Sequence, residues 1–330
     1  MKTAYLIVCH KNPRQVARLV DQLKTGDGDI FIHMDSRMSE EACAQLRALC
    51  EDDRCRFIQS RMHGELDDGS LVHIVMRCIH QASRREAEDA RHYDYYAVLS
   101  GQDYPIRPVR WIEQQLSAAY PTPILDCTRL ARGNWVTRKF DMNGRLIRYR
   151  ETAARTKKGL PRRVSQVICL IWRKKLRLEG RTTGQRLTRR GIAQFGGSAW
   201  WILPDALVKE LYNAYEGNSE VIRLLLSETY TPEETFVQTM AMQTSFAAKI
   251  HLNAPGETDQ NCKTYADFGG KSGRKLVDHP YILTCNDFDR LRSSDYWFAR
   301  KFDENVDWEI LDRIDNELLH IRAAKNEKMC

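Results

Sequence analysis

One short apolar run constrains the fold more than any other stretch of the chain. Residues Tyr95–Leu99 read Tyr-Tyr-Ala-Val-Leu, and the run stops abruptly at Ser100 and Gly101. A run this apolar, and this rich in aromatic and branched residues, is typical of a strand buried on both faces, as in a parallel sheet. Polar side chains follow directly, from Gln102 to Tyr104. Because ligands bind beyond the carboxyl ends of strands in open α/β sheets, we expect a site at this strand end.

The N-terminal residues repeat this pattern as a β-α-β unit. Thr3–Cys9 and Asp29–Met34 are two further apolar runs, and the residues between them place apolar side chains at helical spacing. Asn12, followed by Pro13, is predicted to cap and begin this helix. Connections of only a few residues predict a right-handed parallel crossover, and therefore an α/β fold with a Rossmann-like, mostly parallel central sheet flanked by helices.

Four later stretches carry local predictions. Phe195–Leu203 is predicted to be a strand, whose two consecutive glycines permit a close backbone approach. The turn residues at 141–144 predict a hairpin. The Thr-Pro-Glu-Glu sequence at 231–234 matches a capping box, with Thr231 as the N-cap of the helix that follows. An amphipathic helix is predicted at the C-terminal end, over 308–323.

Composition is that of a soluble globular protein, with 42% hydrophobic and 29% charged residues, but the net charge of +7 is concentrated in one place. Residues 155–190 hold thirteen Lys or Arg against one acid, a net +12, which leaves −5 for the rest. An apolar block, Val164–Trp172, lies inside this segment. Two interpretations stay open: a helix packed on the core with a solvated basic rim, or a surface for an anionic membrane or lipid-linked acceptor.

Length and cysteine usage indicate one large intracellular domain. The 330 residues fit a single α/β domain, predicted to comprise a nucleotide-binding half (1–125) and an acceptor-binding and catalytic half (126–330). The ten cysteines include no Cys-x-x-Cys pair, and neither a secretory signal nor a long apolar span occurs. We therefore predict reduced thiols and a cytoplasmic location, with any membrane contact peripheral and on the inner face of the cytoplasmic membrane.

Candidate chemistry gathers at the predicted strand ends and in the Thr-Pro-Glu-Glu sequence. Glu233 and Glu234 either serve the cap or face a cleft as a general base, and both roles can hold because adjacent helical positions point in different directions. Asp35, at the end of the second strand, either accepts hydrogen bonds from a nucleotide or caps the next helix. His10, after the first strand, is either a similar contact or a packed side chain.

The sequence lacks the paired acids of a metal-dependent nucleotide-sugar transferase. Asp103 is the one acid that follows Tyr95–Leu99, and the Asp-x-Asp spacings at 27–29 and 287–289 fall in a predicted turn and a predicted helix. A transferase of this architecture would use cationic side chains to neutralise a departing diphosphate. The candidates are Arg274, Lys275, Arg300 and Lys301. Phosphate-loop, dinucleotide and nucleophile-elbow motifs do not occur.

Several stretches, taken in order, resemble the core-2/I-branching β-1,6-N-acetylglucosaminyltransferase family, glycosyltransferase family 14, which also includes the peptide xylosyltransferases. They are Ala4–His10, Ile32–Ser36, Tyr96–Pro108, Gly197–Trp201, Thr229–Glu234 and Phe298–Asp303. The resemblance implies a GT-A type α/β fold and an inverting transfer from a nucleotide sugar, with no divalent metal or other cofactor. The family's motifs have no counterpart between Asp126 and Arg190, where acceptor contacts would fall.

The resemblance also implies roles for individual residues. Glu234, which ends the Thr-Pro-Glu-Glu motif, falls on the catalytic base, and Lys301, in Ala-Arg-Lys-Phe-Asp, falls on the diphosphate-binding lysine. Arg274 is near the expected position of a partner arginine, and Asp35 is the strand-end acid that recognises the nucleotide. Further donor contacts are assigned to His10 and Asp103, and acceptor contacts to Trp200, Trp201 and Glu233.

These observations predict an inverting, metal-independent glycosyltransferase. It would move N-acetylglucosamine or xylose from a UDP-sugar to a hydroxyl of a glycan or lipid-linked oligosaccharide. Without an anchor, the chain resembles a bacterial cytoplasmic member that acts on a cell-surface glycan precursor. The alternative is a non-catalytic protein that binds sugar or nucleic acid through residues 155–190. Trp172 is the one aromatic residue in that segment, which argues against stacking on nucleic acid, so nucleic acid is not an expected partner.

Overall fold

A five-stranded, mostly parallel sheet lies at the centre of the protein in a computed structural model, which describes residues 1–65, 68–154, 160–254 and 261–319. Helices pack on both faces of the sheet, so the predicted α/β architecture is confirmed. The first residues of the basic segment, 155–159, and the end of the predicted last helix, 320–323, lie outside the described residues.

The strands and helices follow the predicted alternation in the first part of the chain. The strands are β1 (Thr3–Cys9), β2 (Asp29–Met34), β3 (Cys55–Phe57), β4 (Tyr95–Ser100), β5 (Asp103–Pro105), β6 (Thr128–Arg129), β7 (Phe195–Gly196), β8 (Ile202–Pro204), β9 (Thr264–Ala266) and β10 (Phe298–Arg300). The helices are α1 (Pro13–Leu23), α2 (Glu40–Leu49), α3 (Ser70–Asp89), α4 (Val109–Ala119), α5 (Trp135–Phe140), α6 (Gly144–Ala154), α7 (Leu160–Leu178), α8 (Thr183–Thr188), α9 (Asp205–Glu216), α10 (Glu220–Glu228), α11 (Phe236–Ala241), α12 (Phe288–Ser293) and α13 (Glu309–Glu317).

The central sheet has the strand order β3-β2-β1-β4-β8. The first four strands of that order are parallel, and β8 is antiparallel to β4. A second sheet, β5-β10-β9, joins a strand from the first third of the chain to two strands from its last quarter. Residues from both predicted halves therefore share sheets, while the predicted division at residue 125 stays a prediction.

Strand β4 is buried over its whole length, which explains its apolar sequence. Tyr95, Ala97 and Leu99 pack into the core on one face of the sheet, and Tyr96 and Val98 pack into the core on the other. Side chains of a strand alternate between the two faces of a sheet, so a strand covered on both sides needs apolar residues at every position.

The predicted N-cap at Asn12 is wrong. Asn12 has a left-handed backbone, with φ 57°, and its side chain makes no cap hydrogen bond. Its amide instead donates to Asp303 Oδ1 at 2.9 Å. The left-handed conformation turns the side chain away from the first amides of α1, and Pro13 still begins the helix as predicted.

Two further predictions are corrected. Phe195–Leu203 is not one strand, because β7 pairs with β6 while β8 pairs with β4 in the central sheet. The turn residues at 141–144 connect α5 to α6 and make no hairpin. In both cases the sequence pattern is a local one, and it does not show which strands or helices the segment pairs with or connects.

The apolar block of the basic segment does not pack into the core as the first interpretation expects. Within α7, Leu176 is buried against α6, but Val164, Val167, Ile168, Leu170 and Ile171 are exposed. Within the described residues no helix is both long enough and apolar enough to cross a bilayer. The cysteines that the structure describes are all free thiols, as predicted.

Gly197→Ala should destabilise the protein by about 1–3 kcal/mol, the usual cost of overpacking. A Cβ at this position would overlap the carbonyl oxygen of Asp126 and lie 2.6 Å from its carbonyl carbon. The control is Gly217→Ala, where the nearest atoms lie at 3.4 Å and the backbone is helical. The control should be neutral or slightly stabilising, because alanine restricts the unfolded chain. Urea unfolding of both variants tests this, and equal free energies of unfolding would contradict it.

Candidate active site

The carboxyl ends of β1, β2 and β4 bring three polar segments together. The Asp35 N–H donates to the Cys9 carbonyl at 2.8 Å, and the Gly101 N–H donates to the carbonyl of Val8 at 2.9 Å. His10, Asp35 and the loop after β4 therefore leave the sheet side by side, as parallel strands require. This is the edge at which the sequence predicts a site.

The Asp35 carboxylate is buried and is engaged both by its own loop and by the segment that follows β3. Arg37 donates to both of its oxygens at 2.9 Å, and the Gly64 N–H donates to Oδ2 at 2.8 Å. Burial by itself would raise the pKa of Asp35, but these hydrogen bonds outweigh it and hold the pKa far below its usual range. Asp35 does not cap the next helix, because Ser39 does so by accepting from Ala42 N–H. Its nucleotide contact stays a prediction.

His10 lies at the rim of the same edge and is partly exposed. The burial that remains lowers its pKa, and the positive charges of Lys11, Arg37 and Lys301 lower it further, against the opposing effect of Asp35. The lowered pKa favours the neutral imidazole. It can offer a hydrogen bond to a ligand without adding charge.

The Asp103 carboxylate is fully buried at the start of β5 and is paired with Arg300 at the end of β10. Arg300 Nε lies 3.1 Å from Oδ1, while the N–H and hydroxyl of Ser100 donate to the two oxygens at 2.8 Å. Burial raises the pKa of Asp103 and lowers the pKa of Arg300, and the charge of each partner opposes those shifts. Asp103 is fully buried and holds Arg300, and its predicted donor contact stays a prediction.

Lys301, the next residue, lacks such a partner. Within the described residues, no carboxylate lies within ion-pair distance of Lys301, whereas Lys11 pairs with Asp303 at 2.6 Å. Burial, together with the charges of Arg300 and Lys11, lowers the pKa of Lys301. Arg300 and Lys11 are each paired with an acid, so within the described residues the charge of half-buried Lys301 is left without an ion-pair partner, and this position is suited to bind an anion.

Arg274 reaches the neighbourhood of Lys301 only indirectly. Its guanidinium lies over the ring of Tyr281, and the carbonyl of Tyr281 accepts the Lys301 N–H at 3.4 Å. Two buried acids already neutralise it, Asp287 at 2.7 Å and Asp267 at 3.6 Å. Its predicted role as the partner of Lys301 stays a prediction.

The Thr-Pro-Glu-Glu sequence forms a single turn of 3₁₀ helix, and the predicted capping box is wrong. Thr231 has a left-handed backbone, with φ 54°, and its side chain caps no amide. Its hydroxyl lies 3.4 Å from Glu234 Oε2, and the Glu234 N–H donates to the Thr231 carbonyl. The two glutamates point in different directions, as predicted: Glu233 is buried, and the Glu234 side chain is 37% exposed.

Lys139 holds the exposed glutamate, and sequence reasoning missed it. Its Nζ lies 2.7 Å from Glu234 Oε2, over the ring of Tyr230. The ring of Trp135 lies on its other side. Lys139 falls where no family motif could be placed, and its local sequence carries no sign of this contact. Within the described residues, both polar contacts of the Glu234 carboxylate fall on Oε2.

Residues 197–201 connect the Glu234 turn to the cations. The Gly197 N–H donates to the Glu234 carbonyl at 2.9 Å, and the Trp200 ring centroid lies 4.0 Å from the Arg300 guanidinium carbon. The Cα atoms of Gly197 and Trp200 are at most about 11 Å apart. Trp200 remains partly exposed, whereas Trp201 is buried in the core, and the predicted acceptor contacts of both stay predictions.

Comparisons with known proteins identify the family of the chain. The Core-2/I-branching enzyme family model matches residues 3–292. The chain belongs to this family. The match makes the protein a member of a glycosyltransferase family with a GT-A-like fold, and it extends from β1 through the Glu234 turn. The family match also covers Lys139 and the rest of the region in which no family motif could be placed from the sequence.

Curated relatives of this Core-2/I-branching family member include xylosyltransferases. Human xylosyltransferase 2 is 27% identical over 331 residues, rat xylosyltransferase 2 is 26% identical over 328, and a Ciona intestinalis xylosyltransferase is 24% identical over 331. Each alignment covers 96% of this chain and 34% of the relative. The chain thus spans about a third of the length of these relatives.

No three His, Cys, Asp or Glu side chains come together as a metal-binding group anywhere in the described ranges. The acids at the sheet edge are instead each held by a cation, Asp35 by Arg37, Asp103 by Arg300 and Asp303 by Lys11. Whether the reaction needs a metal ion is a separate question, and metal independence stays a prediction.

Asp103→Asn should lower the free energy of unfolding by about 3–5 kcal/mol, because it leaves the Arg300 charge buried and unpaired. The control is Asp289→Asn, which removes an exposed carboxylate 3.9 Å from Arg292 and should change stability by less than about 0.5 kcal/mol. Urea unfolding at neutral pH measures both. A loss at Asp103 no larger than that at Asp289 would contradict the role of the buried pair.

Proposed function

We propose that this protein is an inverting glycosyltransferase that uses a UDP-sugar as donor. The observation that carries the proposal is Lys301, a half-buried cation with no carboxylate partner within the described residues, held beside Arg300 and Lys11. A diphosphate at this place would supply the missing negative charge. The same contacts would stabilise the charge that develops on UDP as it departs.

Glu234 is proposed as the general base. Lys139 holds Oε2, which leaves Oε1 to accept the proton of an acceptor hydroxyl. In a single in-line displacement, the hydroxyl oxygen forms a bond to the anomeric carbon, its proton passes to Glu234, and the bond to the β-phosphate breaks. The electron pair leaves with UDP, and the configuration at the anomeric carbon inverts. Residues 197–201 fix the distance between base and leaving group.

Donor and acceptor are proposed at the level of chemical class. The transferred sugar is N-acetylglucosamine or xylose, the latter supported by the names of the xylosyltransferase relatives. The acceptor is a hydroxyl of a glycan or lipid-linked oligosaccharide. The proposal includes a reaction that needs no divalent metal, because the acids at the sheet edge are already engaged by Arg37, Arg300 and Lys11. It also includes a cytoplasmic location.

Lys301→Met should weaken UDP binding roughly 10- to 100-fold, the usual value of a charge-assisted contact. In the unaltered protein, the affinity should fall as the pH rises through the lowered pKa of Lys301, at a lower pH than an ordinary lysine near 10.5 would require. Titration calorimetry measures both effects, in EDTA and in Mn²⁺.

The matched control for this measurement is Lys249→Met, an exposed lysine remote from the sheet edge, which should leave UDP affinity unchanged. Equal affinities for UDP in EDTA and in Mn²⁺ are expected for metal-independent binding. Unchanged affinity in Lys301→Met would refute the diphosphate site, and binding that requires Mn²⁺ would refute metal independence.

Glu234→Gln should lower kcat roughly 10²- to 10⁴-fold or more, because the amide cannot accept the proton, while UDP affinity persists. Glu317→Gln is a closely matched control. That glutamate is 40% exposed and pairs with Arg313 at 2.8 Å, against 37% and 2.7 Å for Glu234. Release of UDP from UDP-N-acetylglucosamine and UDP-xylose, measured with an oligosaccharide acceptor, is the assay. Full activity in Glu234→Gln would eliminate the assignment.

A further inference from the structure

The outward side of α7 carries a row of large apolar side chains that is exposed in the described part of the protein. Its members include Val167 at 54%, Leu170 at 58% and Ile171 at 65% exposed, and Leu178, the last residue of the helix, is 80% exposed. Val164 lies on the same side one turn earlier. We call Val164, Val167, Leu170 and Ile171 the α7 outer face. Exposed apolar patches of this kind mark interaction sites, since single exposed residues are common but contiguous rows are not.

The opposite side of α7 is packed, so the helix has a fixed orientation. Leu176 is buried with Leu146 and Ile147 of α6, and Trp172 packs against the same cluster. Arg173 and Arg177 both pair with Asp141, at the end of α5. The apolar row therefore does not result from a detached helix. It is presented outward by a helix whose inner side is anchored.

Charge decides which partner suits this face. From Leu160 to Leu178 the sequence holds six Lys or Arg and no acid. Arg163 and Lys174 are exposed on the same side as the apolar row. An apolar stripe bordered by cations is the pattern of a helix that lies in the interface of an anionic bilayer. The row is aliphatic, which disfavours stacking on nucleic acid bases.

We propose that the α7 outer face is the surface through which this protein docks on an anionic membrane. Apolar side chains would enter the acyl boundary, and Arg163 and Lys174 would meet acidic headgroups. The helix would lie in the plane of the interface and would not cross the bilayer.

The inner side of α7, across the helix from the docking surface, packs against the residue that precedes the turn of the proposed base. Tyr230 packs against the cluster between α6 and α7, and it is the residue before Thr231, which begins the Glu234 turn. Its N–H donates to the carbonyl of Lys139, the residue that holds Glu234. Docking through α7 would hold this turn near the membrane surface and select a lipid-linked acceptor, an inference that rests on the proposed function.

Flotation with phosphatidylcholine vesicles, with and without phosphatidylglycerol, tests the proposal. The full-length protein should float with the anionic vesicles and much less with the neutral ones. Val167→Gln with Ile171→Gln should lower the partition constant roughly tenfold or more for each side chain. Arg163→Gln with Lys174→Gln should lower it roughly fivefold for each charge, on anionic vesicles only.

Matched variants separate the face from general surface properties. Leu49→Gln with Val306→Gln removes two apolar side chains that are 47% and 56% exposed elsewhere, and Arg84→Gln with Arg292→Gln removes two exposed charges elsewhere. Both should bind vesicles like the unaltered protein. Retained thermal stabilisation by UDP in the Val167 and Ile171 variant would show that its fold is intact.

Two results would overturn the proposal. Vesicle binding of the Val167 and Ile171 variant equal to that of the unaltered protein would show that the α7 outer face is not the membrane contact. A dimer that this variant loses, combined with no vesicle binding by the unaltered protein, would assign the face to a second copy of the chain. Glu234→Gln should float normally, so failure of the catalytic proposal and failure of the membrane proposal give different results.

Discussion

The buried ion pair between Asp103 and Arg300 is the constraint on which the candidate site depends. Two charges removed from water need close partners: Ser100 donates two hydrogen bonds to the carboxylate, and the Trp200 ring covers the guanidinium. The pair lies between β5 and β10 of the second sheet, and the hydrogen bonds from Ser100 tie it to the end of β4 in the central sheet. Because Lys301 follows Arg300 directly, the position of the unneutralised cation is fixed by a pair that carries no net charge.

The electrostatics of the sheet edge follow from this arrangement. Each acid there is matched by a cation: Asp35 by Arg37, Asp103 by Arg300 and Asp303 by Lys11. The matching removes carboxylates that would repel a diphosphate. What remains is a local excess of positive charge in a partly dehydrated place, where an anion is bound more strongly than at the open surface.

The sequence was sufficient for those features that depend on local pattern. The apolar runs of β1, β2 and β4 and the helices between them could be predicted because periodicity and burial are read within a few residues. Contacts between residues far apart in the chain could not be predicted. No residue near Asp103 in the sequence indicates its pairing with Arg300, and no residue near Glu234 indicates its pairing with Lys139. The capping box failed for a related reason: Thr231 adopts a left-handed backbone, which the Thr-Pro-Glu-Glu pattern does not reveal.

The antiparallel strand β8 has a consequence for the order in which the chain can complete its structure during synthesis. Until residues 202–204 are made, the outer edge of β4 has open hydrogen-bonding groups, and an uncovered strand edge invites pairing with other chains. The counter-charge of the Asp103 carboxylate is synthesised later still, because Arg300 lies 200 residues beyond Ser100, which contacts the same carboxylate. The nascent chain therefore carries an uncovered strand edge and an acid that is fully buried in the folded protein long before their partners emerge, and its final assembly is a late, chain-wide event.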